Sequence, residues 1–248
     1  YQIEKINLIL SRYEFSILVV DDNSKDDTAN IVKNLQKQYG NLYLLQRGGK
    51  YGLASAYIDG FKYGADLGYK AFIQMDADFS HNPDYLPLML EKIQENDVVI
   101  GSRNVKGGKV IGWNLLRYLV SKGGSLYSRI ILKCPIMDLT GGFNAWRLDI
   151  LNKIGLNNII SKGYSFQIEM KYRAYVLGAQ IVEFPIVFED RKFGKSKMNK
   201  RIFLSAPRMM GKELDYVKNA KLMGASNIRI LVFHILVYCF YLCCLFQT

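Results

Sequence analysis

The sequence has few of the side chains that hold zinc or build disulfide frameworks. Its 248 residues include four cysteines and two histidines, and the histidines have no metal-type spacing to the cysteines. Three of the cysteines lie together in an apolar stretch near the carboxyl end, which is typical of free thiols in a reducing compartment. A zinc enzyme and a disulfide-stabilised secreted domain are therefore both disfavoured.

Several familiar signals are also missing. The sequence has no G-x-x-x-x-G-K-[ST] phosphate loop, no pattern of a secretory signal at its start and no recognised nucleic-acid module. Acidic residues are outnumbered, with a formal net charge of +11, which favours an anionic partner such as nucleic acid, acidic lipid or a phosphorylated substrate. Because the basic residues are dispersed among apolar ones, we expect no nucleic acid among the partners.

Apolar runs that predict strands alternate with amphipathic stretches that predict helices. Half of the residues are apolar, enough for one large α/β domain. The sequence predicts a short helix within 1–15, a buried strand in 15–24 and further strands in 41–47, 70–78 and 97–103. It predicts helices over 25–40, from about Gly52 to Gly68, and over 82–95. This alternation predicts a mostly parallel, doubly wound sheet.

Charged residues follow three of the predicted strands. They are Asp21-Asp22, Asp76-Ala77-Asp78 and Arg103. Ligands of such sheets bind outside the carboxyl ends of the strands, although an aspartate at a strand end can simply cap the next turn. An Asp-x-Asp pair can hold Mg²⁺ or Mn²⁺, and such a cation would neutralise charge developing on a diphosphate leaving group.

Two apolar segments point to a membrane. Residues 107–139 combine leucines, Trp113 and basic side chains, including Arg117, as an amphipathic helix at a bilayer interface does; a core helix with a solvated basic face is the alternative. Residues 228–246 are apolar except for Arg229 and His234 and predict a membrane anchor. A helix docked on the domain or on a partner is the alternative there.

Eight motifs together resemble the dolichol-phosphate and polyprenol-phosphate mannosyltransferases, which are family 2 glycosyltransferases of the GT-A fold. The resemblance covers about residues 15–205. In chain order the motifs are ILVVDDNSKDDT, GGKYGLASAY, IQMDADFSHNPDYLP, VIGSR, GGKVIGWNLLRYLVSKGGS, DLTGGFNAWR, KGYSFQIEMKYRA and FEDRKFGKSKM.

The resemblance implies transfer of mannose from GDP-mannose to a polyprenyl (dolichyl-type) phosphate, with inversion at the anomeric carbon. It implies that Asp22 contacts the base or ribose, and that Asp76 and Asp78 hold Mg²⁺ or Mn²⁺ and through it the diphosphate. Arg103 would lie near the donor phosphates and the acceptor, and Asp78, Arg103 and Arg117 would form the catalytic set.

Further residues complete the implied site. Arg117 and Ser121 would grip the lipid phosphate, and Arg191 and Lys197 would lie in a mobile loop over the nucleotide. The nucleotide-sugar set is Asp22, Lys50, Asp76, Ala77, Asp78, Arg103, Arg191 and Lys197. Secondary candidates near the sugar are Asp138, Thr140, Gly141, Gln167 and Glu169. The acceptor phosphate is mostly dianionic at pH 7, so it needs no activating base.

The sequence departs from this family at two places. Ser80 stands where the family often has a glutamine that contacts the metal. The family's opening strand, with a Pro-x-Tyr-Asn-Glu-like end, should precede residue 1; without it we expect a gap in the sheet and an exposed strand edge. The expected organisation is a glycosyltransferase domain over 1–210, a linker over 211–227 and an apolar helix over 228–246, membrane-associated with the active site on the cytoplasmic face.

Two other functions remain open from sequence alone. A polyprenyl-phosphate glucosyltransferase using UDP-glucose would share the Asp-x-Asp pair, although DLTGGFNAWR and DRKFGKSKM favour mannose. A non-catalytic membrane-associated relative would explain the missing opening strand, whereas the acidic pair and the arginines argue against it. A processive polysaccharide synthase is disfavoured because it needs a Gln-x-x-Arg-Trp motif and several membrane spans.

Overall fold

The computed structural model describes residues 1–163 and 165–190. Predictions for Arg191, Lys197, the linker over 211–227 and the apolar segment over 228–246 fall outside these residues. The described helices are α1 (Gln2–Ile9), α2 (Thr28–Gln36), α3 (Leu53–Asp66), α4 (Leu86–Lys92), α5 (Leu115–Leu132), α6 (Leu148–Ile154) and α7 (Ser165–Val176). The strands are β1 (Ile17–Asp21), β2 (Leu42–Gln46), β3 (Ala71–Gln74), β4 (Val98–Ser102), β5 (Lys109–Ile111), β6 (Asn144–Arg147), β7 (Ile181–Pro185) and β8 (Val187–Glu189).

The strands form three sheets, and the largest is mixed. Its order is β3-β6-β4-β7, with β6 antiparallel to both neighbours and β4 parallel to β7. The prediction of a mostly parallel sheet is therefore wrong for its centre. The chain leaves β4 at Ser102 and returns to the same edge at Phe143, whose carbonyl accepts a hydrogen bond from Gly101 N–H at 2.9 Å. A strand that starts where its neighbour ends must run antiparallel to it.

Strands β1 and β2 pair in parallel as a separate sheet. The apolar residues of β1 are only half-buried, so the prediction of a buried strand is wrong. Helix α3 packs on both sheets, with Gly60 against Val20 of β1 and Gly64 against Phe72 of β3.

The main core lies on the largest sheet. On one face, helix α4 and Leu10, which directly follows α1, pack apolar side chains against the strands. The buried members of this cluster are Leu10, Leu86, Met89, Ile93, Val99, Phe143, Ala145, Phe184 and Ile186. Val99 lies opposite Ala145 in the strand register, so both side chains are on the same face of the sheet. Helix α6, which also packs on α7, contacts β6, and Trp146 and Leu151 are fully buried.

The segment between β4 and α5 is shaped by two glycines. A Cβ at Gly108 would lie 2.7 Å from the Ser102 carbonyl oxygen, and Gly112 has a φ of +86° with the backbone of Asp190 beside it. Both positions therefore favour glycine. Strand β5 then pairs in parallel with β8 and leads directly into α5. Within the described residues, no helix is long and apolar enough to cross a bilayer.

Candidate functional site

The Asp-Ala-Asp tripeptide lies in a loop, because β3 ends at Gln74, earlier than predicted. Asp76 N–H donates to Nδ1 of His81 at 3.0 Å, and the Tyr57 hydroxyl donates to Oδ1 of Asp76 at 3.1 Å. The backbone N–H and the hydroxyl of Ser80 both donate to Oδ1 of Asp78. Hydrogen bonds with neutral groups thus hold the loop in place, and neutral donors orient its two carboxylates.

Burial sets the protonation of the two groups that support Asp76. It raises the pKa of Tyr57 well above its ordinary value, and the negative charges of Asp76 and Asp78 raise it further. Burial lowers the pKa of His81, outweighing the opposite effect of the same carboxylates. Tyr57 therefore stays a donor and His81 stays neutral near pH 7. His81 also stacks on Phe143, with ring centroids 4.9 Å apart.

Backbone strain occurs in the same loop. Phe79, between Asp78 and Ser80, has a φ of +64°, a conformation that costs a non-glycine residue roughly 1 kcal/mol or more. Its ring lies 5.9 Å from the ring of Tyr1, and Ser80 and His81 on its carboxyl side are buried. The surrounding contacts therefore impose the turn that presents the two carboxylates together.

The donor atoms of this loop fit a hard divalent cation. Asp76 and Asp78 offer carboxylate oxygens, which Mg²⁺ and Mn²⁺ prefer, commonly with one or two carboxylates and substrate phosphates. No group of three or more His, Cys, Asp or Glu side chains suited to a metal occurs in residues 1–163 and 165–190. Ser80 uses its hydroxyl to orient Asp78.

Asp22 holds a second loop, between β2 and α3, in place. Its carboxylate accepts hydrogen bonds from Arg47 Nη1 at 2.7 Å, from Tyr51 N–H at 3.0 Å and from Gly52 N–H at 2.8 Å. Burial opposes ionisation of Asp22, but these backbone bonds and the charges of Arg47 and Lys50 outweigh it and lower the pKa. Asp22 therefore fixes the glycine-containing loop that carries the exposed Lys50.

Arg47 is a site residue that sequence reasoning missed. It directly follows β2, is 8% exposed, and pairs with Asp22 at 2.7 Å and with Asp59 at 3.1 Å. Its Nη2 also donates to the Ser55 hydroxyl at 2.7 Å. A cleft adjoins this cluster, between the start of α3 and the segment before α7; it is lined by residues 51–55, Ile58 and residues 159–163. The signal that could have identified Arg47 is its charge at the end of a strand. It was missed because the predicted strand over 41–47 included this residue.

Arg103 forms a buried ion pair at the end of β4. Its Nε and Nη2 donate to the two carboxylate oxygens of Asp138 at 2.7 Å each, and Nη2 also donates to the Thr140 hydroxyl at 3.0 Å. Asp138 is fully buried. Burial opposes ionisation of this carboxyl, but Arg103, then Lys171, hold its pKa well below the usual range. Asp138, Thr140 and Gly141, secondary candidates from sequence, thus shape the surroundings of Arg103.

Lys171, a residue that sequence reasoning did not single out, lies under the same loop. Its ammonium donates to the carbonyl oxygens of Asp138 at 2.7 Å and Gly141 at 2.8 Å, and the residue has no exposed surface. Burial lowers its pKa from 10.5 to about 8, because desolvation outweighs the attraction of Asp138. Lys171 therefore links helix α7 to the loop that orients Arg103.

The depressed pKa of Lys171 predicts a specific pH dependence of stability. Between about pH 8 and pH 10.5 the unfolded chain holds a proton on this lysine that the folded chain has lost, so its contribution to the free energy of unfolding increases with pH. In urea titrations, the stability of the wild type minus that of Lys171→Met should rise by up to about 1.4 kcal/mol per pH unit in this window. Groups that titrate in the same way in both proteins do not affect this difference. A difference in unfolding free energy that stays constant or falls between pH 8 and pH 10.5 would contradict the assignment.

Trp113 stands between the two arginines of the implied catalytic set. Its ring centroid is 4.3 Å from the guanidinium of Arg117 and 5.7 Å from that of Arg103. Arg117 Nη1 donates to Asp190 at 2.8 Å. Trp113 Nε1 and Arg117 Nε are buried and find no hydrogen-bond partner in the described part of the chain. The unsatisfied Nε–H of the Arg117 guanidinium and the unsatisfied N–H of the indole ring that it contacts suit an anion.

Helix α5 presents its polar side toward this arginine cluster. Asn114 caps it by accepting from Arg117 N–H at 2.8 Å. Ser121 lies one turn beyond Arg117 and is half-buried, and Ser125, another turn on, is within 3.2 Å of the Thr140 hydroxyl. Arg117, Ser121 and Ser125 thus share one helix face, which leads from Arg117 toward the Arg103–Asp138 pair.

The two candidates on α7, Gln167 and Glu169, lie in different surroundings. A Cβ at Gly142 would lie 3.8 Å from Gln167 Nε2 and 3.9 Å from Asp76 Oδ2, so Gln167 lies beside the acidic loop, where its Oε1 also accepts from Asn144 at 3.1 Å. Glu169 instead pairs with Arg173 at 2.6 Å and accepts from Ser161 N–H at 2.8 Å. Glu169 therefore has a structural role, because it anchors the segment that lines the cleft beside Arg47.

The structure therefore gathers most of the predicted residues into two adjoining clusters. Asp76 lies beside Gly142, Asp78 follows in the same loop, and Arg103 and Arg117 flank Trp113. Ala77 is exposed in the acidic loop. Asp22 and Lys50 belong to the loop held by Arg47, and Arg191 and Lys197 lie outside the described residues. Sequence reasoning missed Arg47, Tyr57, His81, Trp113 and Lys171 as contributors.

Known proteins resemble this chain in sequence and in structure. Residues 3–155 match glycosyl transferase family 2. The undecaprenyl-phosphate mannosyltransferase of Micrococcus luteus is 44% identical over 203 residues, covering 80% of this chain and 84% of that protein. The polyprenol monophosphomannose synthase of Mycolicibacterium smegmatis is 40% identical over 203 residues, with 79% and 77% covered.

Solved structures agree on the fold. Glucosyl-3-phosphoglycerate synthase from Mycobacterium tuberculosis, in complex with Mn²⁺, UDP and glucosyl-3-phosphoglycerate, superposes with a TM-score of 0.57 at 16% identity, covering 87% of this chain and 75% of that one. Its complex with Mn²⁺, UDP-glucose and phosphoglyceric acid gives 0.57 at 15%, with 95% and 79% covered. Acidic and basic strand ends on this α/β fold, together with the sequence match over most of the domain, make the chain a member of glycosyl transferase family 2.

Proposed function

We propose that this protein is a polyprenyl-phosphate mannosyltransferase that transfers mannose from GDP-mannose to the phosphate of a polyprenol, with inversion. The observation that carries the proposal is its 44% and 40% identity, across about four-fifths of the chain, to two proteins named for mannosyl transfer to polyprenyl phosphate. The bond between the anomeric carbon and the diphosphate oxygen breaks as a bond to the acceptor phosphate oxygen forms, and GDP leaves with the electron pair.

The described site matches the demands of this reaction on the protein. A phosphomonoester is mostly dianionic at pH 7 and attacks without a base. The buried His81 agrees with that, because its Nδ1 accepts from Asp76 N–H and its imidazole supports the loop instead of receiving a proton. What remains for the protein is to position two polyanions together, which arginines and oriented N–H groups do.

The donor is assigned to the acidic loop and to the loop held by Arg47. Asp76 and Asp78 would hold Mg²⁺ or Mn²⁺, which would stabilise the departing diphosphate when bound. Asp22 and Arg47 hold the loop next to the start of α3, and Lys50 gives that loop a positive charge. The cleft lined by residues 51–55 and 159–163 offers space for the nucleoside beside that loop.

The acceptor phosphate is assigned to Arg117, Trp113 and Ser121. Support comes from the buried N–H groups of Arg117 and Trp113, which lack a partner within residues 1–163 and 165–190, and from the serine that follows on the same helix face. Arg117 is also paired with Asp190, just before the segment that contains Arg191 and Lys197, for which we propose contacts to the nucleotide.

The test is transfer of radiolabelled sugar by the purified chain to a polyprenyl phosphate. We expect labelled product from GDP-mannose with Mg²⁺ or Mn²⁺, and none after chelation by EDTA. UDP-glucose, assayed in parallel, should give at least about a hundredfold less product, since a pocket built for one nucleotide and sugar leaves polar groups unpaired with another. Preference for UDP-glucose, or no product from either donor, would overturn the proposal.

Arg117→Met should raise the KM for polyprenyl phosphate without changing the affinity for GDP-mannose. Loss of a charge-assisted contact of roughly 1.5–3 kcal/mol corresponds to about a tenfold or greater fall in kcat/KM for the acceptor. Arg12→Met, which removes an exposed arginine, is the control for net charge. An Arg117→Met enzyme with an unchanged acceptor KM would place the lipid phosphate elsewhere.

A further inference from the structure

The two carboxylate oxygens of Asp76 have different surroundings. The hydroxyl of Tyr57, in α3, donates to Oδ1 at 3.1 Å. The other oxygen, Oδ2, faces Gly142, where it lies 3.9 Å from the position that an added Cβ would take. Within residues 1–163 and 165–190, Oδ2 receives no hydrogen bond. Tyr57 therefore engages one oxygen of this carboxylate and leaves the other available to a ligand.

The backbone of Asp76 is held on both sides. Its N–H donates to Nδ1 of His81 at 3.0 Å, and its carbonyl oxygen accepts from Nε2 of Gln2 at 3.2 Å. Because the main chain is fixed in this way, the direction of the carboxylate depends on the torsions of the side chain. The hydrogen bond from Tyr57 restrains those torsions.

Aromatic packing fixes the Tyr57 hydroxyl in turn. The ring of Tyr57 stacks on that of Phe166 in α7, with centroids 6.1 Å apart and planes inclined by 2°, and on that of Phe61, with centroids 6.3 Å apart. Both phenylalanines are buried. Since closely packed core side chains have little room to move, the hydroxyl cannot follow a carboxylate that rotates away from it.

We propose that Tyr57 is a positioning residue that directs Oδ2 of Asp76 to the divalent cation, so that this carboxylate binds the cation through one oxygen. The inference rests on the proposed function, in which Asp76 and Asp78 hold Mg²⁺ or Mn²⁺. Hydrogen bonds to a carboxylate that binds a metal orient it and set its affinity for the ion. Ser80 restrains Oδ1 of Asp78 through its N–H and its hydroxyl, so both carboxylates of the loop are oriented by neutral donors.

Binding through one oxygen affects which cation the loop prefers. Mg²⁺ requires a near-ideal octahedron and usually takes one or two carboxylates with substrate phosphates and water, whereas Ca²⁺ takes six to eight oxygens and accepts both oxygens of one carboxylate. Mn²⁺ also suits an octahedron of oxygens. A carboxylate restrained to present a single oxygen therefore favours Mg²⁺ and Mn²⁺ over Ca²⁺, and it leaves coordination positions for the diphosphate.

Calorimetric titration of the full chain with GDP tests the proposal. The Kd for GDP is measured in EDTA, in excess Mn²⁺ and in excess Ca²⁺, and the ratio of the Kd in EDTA to the Kd with a cation is the gain in affinity from that cation. Tyr57→Phe keeps the stacked ring and removes the hydroxyl. It should reduce the gain from Mn²⁺ about tenfold, while the gain from Ca²⁺ and the Kd in EDTA stay as in the wild type.

The matched control is Tyr63→Phe, which removes a hydroxyl from a half-buried tyrosine of the same helix whose ring packs on Tyr43. All three of its Kd values should equal those of the wild type. The proposal is overturned if Tyr57→Phe keeps the full gain from Mn²⁺, or if the gains from Mn²⁺ and Ca²⁺ fall by the same factor, because the hydroxyl would then not select an oxygen of Asp76.

The same titration tests the metal role of the proposed function separately. Asp78→Asn should lose most of the gain from Mn²⁺, because it removes one of the two carboxylate charges of the loop. If Asp78→Asn kept that gain, the assignment of the cation to this loop would fail, and the role of Tyr57 with it. Loss of the gain in Asp78→Asn with an unchanged gain in Tyr57→Phe would overturn the role of Tyr57 and leave the proposed function standing.

Discussion

Asp78→Asn should abolish mannosyl transfer while leaving the fold unchanged. The substitution keeps the shape and the acceptor oxygen for Ser80 but removes one of the two carboxylate charges that would hold Mg²⁺ or Mn²⁺. Loss of a group that stabilises charge developing on a leaving diphosphate costs about 10²–10³ or more in kcat. Initial rates at saturating GDP-mannose and acceptor, with circular dichroism to verify the fold, measure this effect.

The matched control is Asp149→Asn, which neutralises an exposed aspartate in the first turn of α6. It should retain nearly full activity and respond to Mn²⁺ as the wild type does. If Asp78→Asn transferred mannose at more than about a tenth of the wild-type rate, with an unshifted Mn²⁺ requirement, the metal role of this loop would be refuted.

Asp138→Ala should cost about 3–5 kcal/mol of unfolding free energy, the usual effect of removing one partner from a buried ion pair. Both carboxylate oxygens of Asp138 are bonded to Arg103, and Lys171 is buried beneath the same loop. Without the carboxylate, two positive charges lie close together with too little compensation. Urea unfolding at pH 7 measures the loss, and Asp84→Ala, which breaks the exposed pair with Lys5, should cost less than about 1 kcal/mol.

A double variant separates the structural from the chemical role of this pair. Asp138→Leu/Arg103→Met replaces both charged groups by apolar ones, so its stability should recover at least half of the loss in Asp138→Ala. Its transfer activity should remain low, because Arg103 lies beside Trp113 and the acceptor cluster. Full recovery of activity with stability would reduce Arg103 to a purely structural residue.

The periodic parts of this fold were predictable from sequence. Apolar runs located β1, β2, β3 and β4 to within a few residues, and the leucine and lysine pattern located α5. Polar residues at strand ends, above all Asp76-Ala77-Asp78 and Arg103, pointed to the edge where the structure gathers them. These features were predictable because burial imposes a period on local sequence and parallel neighbours share a carboxyl-end edge.

Contacts between distant segments were not predictable in the same way. The pairing of Arg47 with Asp22 spans 25 residues and that of Arg103 with Asp138 spans 35, and neither charge carries a local signal for its partner. Strand β6 was not among the predicted strands, and its direction depends on where α5 returns the chain. For α5 the sequence left two interpretations open, an interfacial helix and a core helix with a solvated basic face, because an amphipathic pattern defines two faces without indicating which one is buried.

Anomalous diffraction from crystals grown with GDP-mannose and Mn²⁺ tests the central claim most directly. The account predicts one strong manganese peak within about 2.5 Å of carboxylate oxygens of Asp76 and Asp78, with the diphosphate on the same ion and the nucleoside beside the Asp22–Arg47 loop. A manganese peak elsewhere, or a nucleotide bound away from the acidic loop, would contradict it.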